Sequence, residues 1–347
     1  MGGVVKSLPA HWYANEEIFQ LEQERIFSKN WSFVAHAGQI EKPGSFVTAT
    51  IAGVSIIVLK SPEHGIRGFV NICRHRAAPL CTRETGEITR FTCPYHAWSY
   101  DLDGALLSAP GVDLGRDMDA SKFGLIPVRV SSWNHLIFAC LDRDCVSLSR
   151  WLGDIVSIAG DYPSLSEMDY ACMQSNQCEI NWKNYSDNSA EGYHLSRVHP
   201  ELSRSLITRQ TRIKVHENGQ FVGFDITYKE GESVSPGYWV YKYPGLLMHF
   251  SLSSFNVEKV TPLGPTRTGM HRWFWFKPGV GEPQRKQVVS LSNQVIQQDM
   301  DICREVQKNL ESGLFQDGML FHDREPGTIY FQQCVREALG EQWCDES

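Results

Sequence analysis

Apolar and polar positions along the chain follow two rhythms. In NEEIFQLEQERIF (residues 15–27) apolar residues recur at helical spacing with Glu and Gln between them, which predicts an amphipathic helix. From Gly44 to Val146 the texture changes. SFVTATIAGVSIIVL, IRGFVNI, ITRFTC, LIPVRV and HLIFACL are β-rich runs separated by Gly, Pro, Asn and Asp, and they predict a small all-β unit. AGDYPSLSEMDY leads into a longer remainder. There, VGFDITY, VEKVTPL and GMHRWFWF predict antiparallel strands, and VVSLSNQVIQQDMDICREVQKNLESG predicts a long helix. Strands and helices fall in blocks without strict alternation, so the fold class is α+β. Three regions are expected: an N-terminal helical segment over 1–43, the all-β unit over 44–146 and a second domain over 147–347.

The long helix interrupts its own pattern. Its apolar stripe runs Val288, Leu291, Val295, Ile302, Val306 and Leu310, and Asp299 falls where the period calls for a hydrophobe. A carboxylate on a buried face is costly unless it is paired or binds a metal. Asp301 lies off the stripe and reads as a solvated charge. Upstream, NWKNYSDNSAEGYHLSRVHP (181–200) holds Glu191, His194 and His199. Three apart, Glu191 and His194 would share a helix face. His194 and His199 are separated by about 140° around an ideal helix. Both reach one ion only where the helix distorts or ends, and Pro200 favours an end there. Two histidines and a carboxylate beside open positions are the donor set of oxygen-activating ferrous sites. Two unrelated surface histidines are the alternative.

NICRHRAAPL and RFTCPYHAWSY place Cys73 and His75 in one loop and Cys93 and His96 in another, both inside the β-rich segment. Structural zinc sites tend to pair Cys with Cys. A two-iron, two-sulfide Rieske centre instead binds both thiolates on one iron and both imidazoles on the other, which suits one Cys and one His per loop.

Bulk properties narrow the picture further. The 347 residues exceed one ordinary core. With 33 Lys and Arg against 40 Asp and Glu the net charge is −7, and no basic stripe points to nucleic acid. No apolar run reaches membrane-spanning length. MGGVVKSLPAHW lacks the apolar run of a secretory signal. The ten cysteines, Cys344 among them, form no repeating framework and read as reduced thiols of a cytoplasmic protein.

CRHRAAPLC and CPYHAWSYDLDG resemble the cluster loops of the Rieske non-haem iron oxygenases, the ring-hydroxylating oxygenase alpha-subunit family. NWK…DN…EGYH…HP and QDMDICREVQKNLESGL resemble that family's mononuclear-iron motif. The resemblance covers nearly the whole chain and leans towards the choline, glycine betaine and carnitine monooxygenase branch. It implies an all-β Rieske [2Fe-2S] domain and a helix-covered antiparallel-sheet catalytic domain of helix-grip type, with 1–43 packed on the latter. It further implies that Cys73, His75, Cys93 and His96 hold the cluster, and that His194, His199 and Asp299 hold a mononuclear Fe(II). Glu191 would bond an iron-site histidine and His96 of a neighbouring subunit, bridging electrons across a homotrimer without a beta subunit. The plainer role is to orient His194. The family pattern has an acid where this chain has Gln298, and the neutral side chain is expected to lie outside the iron's own ligands.

The implied activity is that of a terminal oxygenase with O2 as co-substrate. The chain lacks a G-x-G-x-x-G loop and a plant-type cysteine run. Electrons from NAD(P)H would therefore arrive through a separate flavin and iron–sulfur reductase or a ferredoxin. The expected substrate is a small N-methyl compound, oxidised with N-demethylation. Tyr238, Trp239, Tyr241, Tyr243, Trp273 and Trp275 could supply an aromatic cage for a quaternary ammonium, or simply pack as core. Mono- or dioxygenation of an aromatic ring is the alternative. A Rieske electron carrier without oxygenase activity would need only residues 44–146.

Overall fold

A computed structural model describes residues 3–207, 213–230 and 236–340; Cys344 lies outside the described residues. Seven strands form one antiparallel sheet: β1 (Ser32–His36), β2 (Ser45–Ile51), β3 (Val54–Ser61), β4 (Gly65–Val70), β5 (Thr85–Glu87), β6 (Pro127–Trp133) and β7 (Leu136–Cys140). Their order is β1-β7-β6-β4-β3-β2-β5. The turn from β2 to β3 puts Ala52 at φ 47° and Gly53 at φ 74°, the two left-handed residues a tight hairpin needs. Along β3, Ile56 and Val58 enter one apolar cluster while Ile57 and Leu59 enter the other. Burial on both faces explains why this strand reads as a continuous apolar run. Short strands at Phe91–Thr92, Ser99–Tyr100 and Leu106–Ser108 form a separate small sheet.

These strands belong to a compact unit, Phe27–Ser149; the chain before and after it forms the other. The expected boundary at residue 43 is therefore corrected. Residues 27–43 join the β unit because β1 pairs with β7 from His36↔Leu136 to Ser32↔Ala139. The preceding helix does belong with the larger unit. It is α-helical as α1 (Glu16–Glu22), capped by Asn15, whose side chain accepts the Ile18 N–H at 2.9 Å, and widens to a π-turn over Gln23–Phe27.

The larger unit is built on a second antiparallel sheet. It contains β8 (Asp169–Cys178), β9 (Ile213–His216), β10 (Phe221–Ile226), β11 (Gly237–Lys242), β12 (Leu246–Ser251), β13 (Ser254–Gly264) and β14 (Arg267–Phe276), in the order β8-β14-β13-β12-β11-β10-β9. Helices α2 (Trp182–Ser189), α3 (Leu195–Val198), α4 (Pro200–Ser205), α5 (Glu282–Leu310) and α6 (Pro326–Leu339) accompany it. Arg272 on β14 donates to Ser292 and Asn293, both at 2.8 Å, which ties α5 to the sheet.

The stripe expected on α5 holds only in part. Ile302 and Val306 are each 42% exposed, while Asp299, Met300, Cys303 and Gln307 are buried. This end of the helix docks on α2 through hydrogen bonds: Asn184 donates to the Cys303 carbonyl at 2.9 Å, and Gln307 accepts the Asn181 N–H at 3.0 Å. A face buried by polar contacts carries no apolar period.

Candidate metal centres

In the smaller unit the two Cys/His loops share one backbone design. Cys73 N–H donates to the Ala78 carbonyl and Cys93 N–H to the Trp98 carbonyl, each at 2.8 Å. The fourth residue after each cysteine, Ala77 or Ala97, takes a left-handed φ of 57°. Asn71 braces the first loop, accepting the Leu80 and Cys81 N–H groups at 3.0 Å. Both thiols sit in the apolar cluster, whereas His75 is exposed and His96 half-buried. The imidazole rings lie 4.7 Å apart, and His75 stacks on Trp98 at 5.0 Å. Tyr100 Oη is 3.3 Å from Cys73 Sγ and accepts the Arg74 N–H at 3.0 Å.

The spacing of the donors fits a cluster better than a single zinc ion. Among the described residues, no three of these four side chains bring ligand atoms within 4.8 Å of one another. A single tetrahedral ion needs closer donors; a two-iron cluster spans the wider set. Nδ1 of His96 is buried without a hydrogen-bond partner, the condition of an atom shaped to meet a metal.

The larger unit does bring three donors together. His194, His199 and Asp299 place ligand atoms within 4.8 Å of one another. Asp299 Oδ1 is 2.9 Å from His199 Nε2 and 3.6 Å from His194 Nε2. The helix break that this convergence requires is present: α3 stops at Val198, His199 leaves helical geometry at φ −119° and ψ 64°, and Pro200 opens α4. The other ring nitrogens face acceptors. Glu191 Oε1 lies 2.5 Å from His194 Nδ1, and Gln298 Oε1 lies 2.7 Å from His199 Nδ1. A proton held at each Nδ1 leaves each Nε2 lone pair free. Asn188 donates to Asp299 Oδ1 at 2.8 Å.

Glu191 does not share a helix with His194. Chain after α2 breaks at Ala190, and the Glu191 carboxylate folds back onto the Tyr193 and His194 N–H groups. Gln298 likewise gains a contact beyond the expectation, since it is the acceptor for His199.

The triad borders a cavity with two adjoining lobes of about 130 and about 90 Å³ between the sheet and α5. Of the six aromatics considered for a cage, Trp239 and Tyr241 line it. Strand alternation explains the division. Tyr238 points the other way to His216, 3.2 Å from its Nε2, and Trp273 and Trp275 flank the cavity-facing Phe274. Tyr243 packs against Phe331. Glu258, His249 and Asn256 also line the cavity, and sequence reasoning passed over all three. Glu191 and Asn188 stand between it and an outer cleft that includes Ile302, Val306, Phe315 and Met319. Glu63, His64 and Asp103 also cluster, but on the surface, where Asp103 already accepts from Ser61 and faces Arg67.

Known proteins share this architecture. Residues 164–341 match the ring hydroxylating alpha subunit (catalytic domain) family, and residues 30–118 match the Rieske [2Fe-2S] domain. The glycine betaine monooxygenase oxygenase subunit of Chromohalobacter salexigens is 38% identical over 204 residues, 58% of this chain and 45% of that protein. The chain thus spans under half the length of that relative. The carnitine monooxygenase oxygenase subunit of Escherichia coli is 27% identical over 88% of this chain and 84% of its own length. The solved structure of a quaternary ammonium Rieske monooxygenase superposes with a TM-score of 0.87 at 23% identity, covering 96% of both chains.

Proposed function

We infer the function from one premise: the chain belongs to the ring-hydroxylating alpha-subunit family. It is the terminal oxygenase of a Rieske system, hydroxylating a small organic substrate at an N-methyl group. The observation that carries this reading is the meeting of His194 Nε2, His199 Nε2 and Asp299 Oδ1 at the wall of a largely apolar cavity. In this reading Cys73, His75, Cys93 and His96 hold the [2Fe-2S] cluster, while His194, His199 and Asp299 hold Fe(II). When bound, the two metal groups supply electron transfer and oxygen activation.

The chain's own residues do the rest. Glu191 and Gln298 keep a proton on Nδ1 of each histidine, and Asn188 fixes the Asp299 carboxylate. Trp239, Tyr241 and Phe274 enclose the substrate and exclude water. The relatives named for glycine betaine and carnitine support an N-methyl substrate, whose hydroxylated carbon would leave as formaldehyde. The apolar walls also suit an aromatic ring, and ring hydroxylation is the second reading. A simple electron carrier would leave the triad without a role.

The partners are a separate reductase or ferredoxin and two further copies of the chain. The homotrimer is what the family resemblance implies, and exposed Ile302, Val306, Phe315 and Met319 in the cleft that Glu191 borders offer an apolar surface for a neighbouring copy. Glu191 would there bridge electrons from a neighbouring cluster. We place the protein in the cytoplasm on its free thiols; among the described residues no helix is long and apolar enough to cross a membrane.

Iron counting with a substrate panel tests the assignment. The loaded protein should carry three irons per chain, and oxygen uptake should be coupled to formaldehyde release. His194→Ala should keep the brown cluster spectrum but lose one iron and all turnover. Full turnover by that variant would overturn the triad, and a hydroxylated ring without formaldehyde would select the second reading.

A further inference from the structure

One carboxylate in the cavity neither belongs to the triad nor, like Glu191, touches one of its histidines. Glu258 on β13 is 2% exposed, yet it lines both lobes. Its hydrogen-bond partner is Tyr185 on α2, whose Oη donates to Oε1 at 2.6 Å. Arg272 stands opposite on β14, but its guanidinium donates to Asn176, Ser292 and Asn293 within 2.9 Å and forms no ion pair with Glu258. From β12, His249 faces the same space, stacked on Trp239 at 4.9 Å. Burial lowers that imidazole to about 4, so it brings no positive charge near neutral pH. Asp299 on α5 and Glu191 border the same space, the first as an iron ligand in the proposed reading and the second turned to His194.

A buried carboxylate without an ion-pair partner is unfavourable, and here that carboxylate borders a small space walled by the Trp239 and Tyr241 rings. We propose that Glu258 is the counter-ion for a cationic nitrogen of the substrate, selecting small quaternary ammonium or protonated amine compounds over uncharged molecules of the same shape. The inference rests on the reading of this cavity as the substrate site. It names the charge that an N-methyl substrate must carry. Trp239 contributes the aromatic face that attracts such a cation.

Proton linkage follows from the same geometry. Burial raises the Glu258 carboxyl to about 7, against the lowering effects of Arg272 and the Tyr185 hydrogen bond. An entering cation favours the ionised form. It therefore drives off a proton below about pH 7, and affinity rises with pH through that range.

Calorimetry on the oxidised protein, without reductase, tests this by binding alone. The probes are choline and its uncharged carbon isostere, in which carbon replaces the quaternary nitrogen. Wild type should bind choline at least about tenfold more tightly. Glu258→Gln, whose side-chain oxygen still accepts from Tyr185, should lose that preference and leave isostere binding unchanged. A purely structural role predicts equal effects on both probes. Buffers of different ionisation heat should reveal proton release by wild type at about pH 6. That measurement stands even if the variant does not fold. Equal wild-type affinities, a preference retained by Glu258→Gln, or cation binding without proton release would each overturn the proposal. Failure of the oxygenase reading would show differently, as a missing third iron with cation binding intact.

Discussion

Gln298 Oε1 lies 2.7 Å from Nδ1 of His199, so a neutral amide orients one of the three converging donors. Such supporting partners typically change metal affinity about tenfold to a hundredfold. Gln298→Ala should weaken mononuclear iron retention by that order during dialysis against a chelator. Gln298→Glu, which preserves an acceptor, should retain most of it. Equal retention in all three proteins would show that His199 is held by packing alone.

Tyr100 Oη approaches Cys73 Sγ at 3.3 Å inside the apolar cluster. Hydrogen bonds to cluster sulfur favour the reduced, more negative state. One net hydrogen bond of ~1 kcal/mol corresponds to about 40 mV for a one-electron couple. Tyr100→Phe should lower the cluster potential by about that amount in a redox titration. An unchanged or raised potential would place the hydroxyl elsewhere in the loaded protein.

Glu191 makes contact with both His194 Nδ1 and the N–H groups that precede the ring. Glu191→Gln should keep all three irons yet slow reoxidation of the cluster in single turnover. Loss of the mononuclear iron with a normal electron-transfer rate in the remaining loaded fraction would reduce Glu191 to an orienting role.

Lys242 is buried with its ammonium 4.1 Å from the Trp151 ring centroid and donates to the Tyr243 carbonyl at 2.9 Å. Burial lowers it to about 7. Above that pH the unfolded chain binds a proton that the native chain does not, so this group makes stability rise with pH from about 7 towards its unfolded value near 10.4. Lys242→Met should flatten that rise in chemical denaturation and be most stabilising relative to wild type at or below about pH 7. An identical pH slope in both proteins would mean that the amine stays charged in the fold.

The legible and illegible parts of the site differ in range. Cys73, His75, Cys93 and His96 could be read because each loop carries its own spacing, repeated in a matching backbone with Ala77 and Ala97 in the same conformation. Asp299 could be read because a charge breaks an apolar stripe. The continuation of that stripe through Ile302 and Val306 failed, since α5 there buries Cys303 and Gln307 against the amides of α2. Glu258 and Asn256 stayed hidden for a related reason. Along β13 they alternate with buried Phe255 and Val257, which reads as an ordinary polar, solvent-facing side. The sheet instead turns that side towards an interior cavity.

Local order along the chain settled the donor types, the loop that carries each, and the helix end that Pro200 enforces. Those depend on neighbours a few residues apart. Tertiary structure alone brought His199 to Asp299 across 100 positions and chose which aromatics meet the cavity. It also enclosed Glu258 without an ion-pair partner. Each of these is set by how a helix lies over a sheet, and no short-range pattern of side chains encodes that placement.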